Sequence, residues 1–112
     1  MSFNITIVIP FFNEFKKLHC LLKDLSSWTA IPSNIIVVNT GRDHLTLDQI
    51  IYSELDGLNI QLNIIDSPLA YPGKARNIGF SHAETTFIAY LDAQTRPNYD
   101  WLESGINLIK NS

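Results

Sequence analysis

The chain contains 112 residues, of which 46% are hydrophobic and 17% are charged, and its formal net charge is −3. This length accommodates one compact domain and leaves no room for a second, so we expect a single domain over residues 1–112. The negative charge disfavours broad surfaces for nucleic acid or anionic membranes, and the single cysteine, Cys20, excludes an intramolecular disulfide and a multi-cysteine metal site. No apolar stretch reaches the ~20 residues that cross a bilayer, which predicts a soluble, cytoplasmic domain.

Four short apolar runs, rich in β-branched residues, recur along the chain. Each run is nearly continuous in hydrophobicity rather than alternating, which is typical of strands buried on both faces of a parallel sheet. The runs are residues 5–10, 34–39, 60–66 and 86–92.

Segments with helical spacing separate and follow these runs. Their apolar stripes are Phe15, Leu18, Leu21, Leu22 and Leu25; Leu47, Ile50, Ile51 and Leu55; Ala75, Ile78, Gly79 and Ala83; and Trp101, Leu102, Ile106 and Ile109. The βαβαβαβα order predicts a doubly wound, Rossmann-like α/β fold. Its mostly parallel sheet would have about four strands, with helices on both faces.

Segments rich in polar residues lie at the carboxyl ends of the predicted strands, where open α/β sheets bind their ligands. They are Pro10, Asn13 and Glu14 after the first strand, residues 39–43 after the second, Asp66, Ser67 and residues 71–77 after the third, and Asp92, Gln94, Thr95 and Arg96 after the fourth. Carboxylates and amides can bond a base and a ribose, while Lys74, Arg76 and a helix N-terminus can face a diphosphate. The mixture therefore predicts a site for a nucleoside diphosphate linked to another group.

A structural interpretation of the same residues is that they cap helices and shape turns. Taken alone, Asn13, Asp43 and Asn98 favour that interpretation, whereas Arg76 and Asp92 favour a functional one. Other nucleotide-binding classes fit less well, because nucleotidyltransferases and dinucleotide dehydrogenases need a glycine-rich loop directly after the first strand. The segment 10–13 contains no glycine. A receiver domain would need paired acidic residues after the first strand, and Glu14 is the only acidic residue near that place.

Four sequence blocks stand in a distinctive order between positions 7 and 94. They read Ile-Val-Ile-Pro-Phe-Phe-Asn-Glu at 7–14, Ile-Ile-Val-Val-Asn-Thr-Gly at 35–41, Gly-Lys-Ala-Arg-Asn-Ile-Gly at 73–79 and Tyr-Leu-Asp-Ala-Gln at 90–94. Together they resemble family 2 glycosyltransferases with the A-type fold, and the Ala-Arg-Asn-x-Gly block is the most specific of them. The resemblance implies that the chain is the N-terminal, nucleotide-binding half of such an enzyme.

The resemblance implies a base and ribose site at the ends of the first two strands. Pro10, Asn13 and Glu14 match the segment that lies against the base and ribose. Asn39 stands where the family usually has an acidic residue that bonds the base, often uracil, and Thr40 stands at a second position that is commonly acidic. An amide at position 39 still offers both an acceptor and a donor to a base.

The resemblance also implies a diphosphate and metal site. Arg76 matches a residue near the nucleotide, and Gly73 and Lys74 lead into it. Asp92 matches the first aspartate of an Asp-x-Asp motif that contacts ribose and a divalent metal, Mg²⁺ or Mn²⁺. Gln94 replaces the last aspartate of that motif, which removes a charged ligand and predicts weak metal binding.

The catalytic base of the family belongs to the acceptor-binding half, which the resemblance places beyond the last predicted helix. We therefore assign no catalytic residue and expect a chain truncated before that half, inactive alone. The alternative is a degenerate, non-catalytic module that binds a nucleotide sugar or a partner, which Thr40 and Gln94 favour. Without further strands, residues 86–91 would form an exposed apolar edge, so we expect self-association through that strand or through surface that the missing half would cover.

Overall fold

The computed structural model describes residues 2–12, 15–25, 27–41, 60–67, 72–85, 87–92 and 97–110. The elements in these segments are, in chain order, β1 (Ser2–Phe11), α1 (Phe15–Leu25), β2 (Ile31–Asn39), β3 (Gln61–Asp66), α2 (Pro72–His82), β4 (Phe87–Tyr90) and α3 (Trp101–Lys110). Each of the four predicted strands and three of the predicted helices has a counterpart here. The second predicted helix in chain order, over positions 46–55, lies outside the described residues.

The four strands form one sheet in the order β3-β2-β1-β4, and every pair is parallel. β1, β2 and β3 are neighbours in the sheet in the same order as in the chain. The chain then crosses to the other side of β1, where β4 pairs with it. Strand order therefore reverses between β1 and β4. This arrangement confirms the predicted parallel α/β sheet and defines the crevice where such sheets bind ligands.

Alternate side chains of β1 serve two separate cores, because successive residues of a strand point to opposite faces. Ile7 belongs to a core cluster with Leu21 of α1 and Leu102 of α3. Val8 belongs to a second cluster with Ala75 of α2. Helices α1 and α3 thus cover one face of the sheet and α2 covers the other, which confirms the doubly wound arrangement.

The prediction that all four strands are buried on both faces is correct for the central pair and wrong for the outer pair. The side chains of β1 and β2 are almost all buried beyond their first residues, whereas Gln61 and Asn63 of β3 are exposed. In β4, Phe87 is 43% exposed and Tyr90 is 41% exposed. The outer strands of a sheet have a neighbouring strand on one side only, so their side chains are less completely covered.

Helix α2 packs closely on the sheet at the point where a glycine faces it. The helix begins at Pro72, a residue that suits the first turn since it lacks the N–H that would have no partner there. About two turns into the helix, Gly79 is buried against β1. A Cβ atom at Gly79 would lie 3.0 Å from Val8 Cγ2 and closer still to Val8 Cγ1, and Val8 is itself fully buried. The glycine therefore sets the distance between α2 and β1.

Replacing Gly79 by alanine should destabilise the fold by about 1–3 kcal/mol, because the added methyl group must displace α2 or Val8. Within a helix, alanine is more favourable than glycine by about 1 kcal/mol. The expected loss is the net change after this gain has been counted. Urea denaturation followed by circular dichroism measures the change in free energy of unfolding.

Gly105→Ala is the matched control, since Gly105 lies in α3 and nothing is within 4 Å of its hypothetical Cβ. This variant should be as stable as the wild type or more stable, by up to about 1 kcal/mol. Equal stabilities of the two alanine variants would contradict the close approach of α2 to β1.

Candidate functional site

The carboxyl ends of three strands are held at the same level by their parallel register. Phe11 of β1 pairs with Asn39 of β2, and Asn39 pairs with Asp66 of β3. The backbone N–H of Thr40 donates to Phe11 O at 2.8 Å, and the N–H of Ser67 donates to Asn39 O at 2.8 Å. The polar residues that follow these strands therefore start from one common edge.

Thr40 reinforces this edge with its side chain. Its hydroxyl donates to Phe11 O at 2.9 Å, and the residue is 6% exposed. The hydroxyl thus points into the protein and links the ends of β1 and β2. At this position, where the resemblance implies an acid is common, the chain uses a neutral side chain to join two strands.

Asn39 is a buried link between β2 and its surroundings. The residue is 2% exposed, its Nδ2 donates to Asp66 Oδ1 at 3.0 Å, and its Oδ1 accepts the N–H of Gly41 at 3.1 Å. Buried amides in proteins are stable only when their donors and acceptors have partners, and Asn39 meets that requirement on both sides. Direct contact of Asn39 with a base stays a prediction from the sequence.

The end of β1 supplies one predicted site residue to this edge. Pro10 is half-buried and pairs with Val38 of β2, and the exposed Phe12 follows directly after the strand. Asn13 and Glu14, the other two residues predicted for the base and ribose, lie outside the described residues.

Helix α2 carries the predicted diphosphate ligands on its outer side. Ala75 is fully buried against the sheet, whereas Lys74 and Arg76 on either side of it are exposed, and Gly73 is half-buried. The Ala-Arg-Asn-x-Gly block thus combines small residues that face β1 with a cation that faces solvent. Within the described part of the chain, neither Lys74 nor Arg76 takes part in an ion pair.

Asp92 lies on the other side of the strand-order reversal. Tyr90 of β4 pairs with Val8, and the N–H of Leu91 donates to Val8 O at 3.0 Å, so Asp92 follows β4 near the level of Pro10. Its side chain is exposed. Gln94, the doubtful second metal ligand, lies outside the described residues.

The described donors do not by themselves make a metal site. No group of three His, Cys, Asp or Glu side chains that could hold an ion occurs among the residues that the structure describes. Asp92 is a single carboxylate, and the hard divalent cations need several oxygen ligands. Among the predicted site residues, Asn39 is therefore hydrogen-bonded to Asp66. Pro10 and Asp92 lie at the carboxyl ends of two adjacent strands. Arg76 lies on the helix that covers β1 and β2.

Sequence patterns did not assign a role to Asp66, which proves to be the direct partner of Asn39. Both residues end a strand, and that position was visible in the sequence. Their contact depends on β2 and β3 being neighbours in register, which hydrophobic periodicity does not reveal. The useful signal would have been the combination of a neutral residue at position 39 with an acid at the end of the next strand.

A family model described as "Glycosyl transferase family 2" matches residues 6–112, almost the entire chain. The chain belongs to this family. The resemblance drawn from the four sequence blocks is therefore confirmed, and with it the A-type, Rossmann-like fold of the family.

Two relatives illustrate how much of a longer enzyme this chain corresponds to. Glycosyltransferase AglE of Haloferax volcanii is 26% identical, in a match that covers 96% of this chain and 36% of AglE. The pre-mycofactocin glycosyltransferase of Mycobacterium tuberculosis is 28% identical, in a match that covers 90% of this chain and 20% of that enzyme. The chain therefore spans about a third or less of the length of these relatives.

Solved structures of S. aureus TarS share the fold. TarS 1–349 in complex with UDP-GlcNAc matches with a TM-score of 0.74 and 23% identity, over 96% of this chain and 31% of that chain. The complex of TarS 1–349 with UDP matches with the same TM-score. None of the helices in the described segments has the length and apolar content that a membrane crossing requires. A cytoplasmic location stays a prediction from the sequence.

Proposed function

We propose that this chain forms the donor-binding part of a family 2 glycosyltransferase and binds a nucleoside diphosphate sugar at the carboxyl edge of its sheet. The observation that carries the proposal is the arrangement on both sides of the strand-order reversal. On one side of the reversal, the exposed carboxylate of Asp92 follows β4. On the other side, β1, β2 and β3 end in register, and polar residues follow their ends. The UDP-GlcNAc and UDP complexes of TarS, a structure of the same fold, support this ligand class.

In the proposed complex, the base and ribose contact the strand ends. Pro10, Asn13, Glu14 and Asn39 form the base side, and Asp92 accepts hydrogen bonds from ribose hydroxyls. The diphosphate is bound by Lys74 and Arg76, with Gly73 allowing its close approach to the start of α2. Two exposed cations without ion-pair partners in the described part of the chain suit that role.

Inverting enzymes of this family use a carboxylate to deprotonate the acceptor hydroxyl, and we assign no such residue to this chain. The named glycosyltransferases are several times longer than this chain, so we propose for residues 1–112 the single task of donor binding. The chain alone should bind a donor without transferring its sugar.

A second candidate is a degenerate module that keeps the fold and has lost the chemistry. Thr40 favours it, because the hydroxyl at this commonly acidic position is turned inward to Phe11 O. Gln94 favours it as well, since the amide removes a charged metal ligand. Metal dependence separates the two candidates.

Arg76→Ala should weaken UDP binding by about tenfold or more, because a charge-assisted hydrogen bond to phosphate is lost. Titration of the ¹⁵N-labelled chain with UDP and UDP-GlcNAc, followed by NMR, measures the dissociation constants. Lys16→Ala removes one positive charge from an exposed position of α1 and is the matched control. Equal affinities of the two variants would contradict the assigned role of Arg76. An absence of chemical-shift changes in the wild type at millimolar nucleotide would contradict donor binding itself.

Gln94→Asp should raise the Mn²⁺-dependent part of UDP affinity by about tenfold, because it restores the second carboxylate of the Asp-x-Asp motif as a metal ligand. Calorimetry with UDP in the presence of Mn²⁺ or of EDTA measures that part. Gln61→Asp, an equal change at an exposed position of β3, controls for net charge. If neither wild type nor Gln94→Asp responds to Mn²⁺, the degenerate-module candidate gains over the enzymatic one.

We also propose that two copies of the chain associate through β4. This strand is last in the sheet order, so its outer side has no strand partner among the described strands. Its sequence, Phe-Ile-Ala-Tyr, carries no charge to discourage pairing. Beside it, an apolar groove of about 160 Å³ is lined by Phe87, Ala89 and Trp101 among others. An uncharged strand with an open side can pair with the same strand of a second copy, and the apolar groove beside it offers further surface for that contact.

Phe87→Lys should abolish this association, because a charged side chain at the edge resists pairing with another strand. Sedimentation velocity over a range of concentrations measures it as the rise in weight-average sedimentation coefficient. Phe80→Lys makes the same change at a position of α2 that is 61% exposed and should associate like the wild type. A wild type that sediments as a monomer at high concentration contradicts the proposal.

A further inference from the structure

Asp66 is the exposed member of a hydrogen-bonded pair whose other member is buried. It is the last residue of β3, lies in register with Asn39, and accepts a hydrogen bond from Asn39 Nδ2 at 3.0 Å. Asn39 is 2% exposed, whereas Asp66 is exposed to solvent. At this edge, the negative charge therefore faces outward on β3 and the amide supports it from inside.

The orientation of the Asn39 amide is fixed by its two partners. The backbone N–H of Gly41 is a donor and requires an oxygen, which it finds in Asn39 Oδ1 at 3.1 Å. The amide nitrogen consequently points to Asp66. A carboxylate offers about four lone-pair directions, so Asp66 can accept from Asn39 and from a ligand together. Asn39 thus acts on a ligand through Asp66, whose carboxylate it orients.

We propose that Asp66 is a specificity-determining residue of this site and that its carboxylate accepts the ring N–H of the donor's base. The inference rests on the proposed binding of a nucleoside diphosphate sugar. The resemblance implies an acid at position 39 for this contact, and the chain instead presents its carboxylate one strand farther along the edge. The base it selects carries a ring N–H that can donate to an anion, as uracil does at N3.

This chemistry distinguishes two bases of equal size. Uracil has an N–H at ring position 3, whereas cytosine has a lone pair at the same position. A carboxylate that accepts from uracil is repelled by that lone pair, and a charged group left without its donor costs more than an ordinary lost hydrogen bond. Uridine diphosphate should therefore bind more tightly than cytidine diphosphate, by about tenfold or more.

The experiment compares UDP, CDP and inorganic pyrophosphate on four proteins by NMR titration of the full 112-residue chain. Asp66→Asn removes the charge at nearly constant shape and should reduce the UDP/CDP affinity ratio to about one, with pyrophosphate binding unchanged. The exchange variant Asn39→Asp with Asp66→Asn keeps one acid and one amide in contact and should recover part of the UDP preference. Glu84→Gln removes an exposed carboxylate between α2 and β4, at the opposite edge of the sheet, and should leave the ratio at its wild-type value.

The outcomes separate this inference from the proposed function. A UDP preference that survives in Asp66→Asn overturns the role of Asp66 while leaving nucleotide binding intact. Pyrophosphate binding without any UDP preference in the wild type overturns base selection. A chain that binds none of the three ligands overturns the proposed function and this inference with it. Far-UV circular dichroism tests whether each variant is folded. If Asp66→Asn is unfolded, the UDP/CDP affinity ratio of the exchange variant is compared with that of the wild type instead.

Discussion

The lateral register of β1, β2 and β3 is the constraint on which the rest of the site depends. Phe11, Asn39 and Asp66 end their strands side by side, and Thr40 fastens two of those ends through both its backbone N–H and its hydroxyl. A shift of one residue in either pair would turn each side chain of the shifted strand to the opposite face of the sheet. The edge would then lose the contact between the buried amide and the exposed carboxylate.

The second constraint is the packing of α2, because this helix connects the core to the proposed diphosphate site. Gly79 lets the helix settle on Val8, and Ala75 occupies the same buried face one turn earlier. Residues three and four apart share a helix face, so the neighbours of Ala75 in sequence, Lys74 and Arg76, are directed away from the sheet. Gly79 and Ala75 determine how closely α2 packs on the sheet. They thereby determine the distance between the two cations and the strand ends.

Periodicity predicted the elements well where burial is complete and less well where it is partial. The strongly apolar segments of β1 and β2 are central strands, and their prediction as buried strands is correct. The outer strands differ, since Gln61 and Asn63 interrupt β3 with exposed polar side chains. Strand order does not follow from periodicity, so the neighbours of Asn39 could not be named from the sequence. For that reason the sequence predicts Asn39 as a direct base ligand and gives Asp66 no specific role within the predicted site.

The charges at positions 39 and 66 have to be considered together when the neutral residue at position 39 is interpreted as a loss of function. The two side chains approach to 3.0 Å, and two carboxylates at that separation in a partly buried setting cannot both stay ionised without a large penalty. An acid at position 66 therefore favours a neutral donor at position 39, and the amide satisfies both Asp66 and the N–H of Gly41. On this argument, Asn39 is the partner that an exposed carboxylate on β3 requires. The departure from the family's acidic pattern then keeps one negative charge at the carboxyl ends of the strands and moves it from β2 to β3.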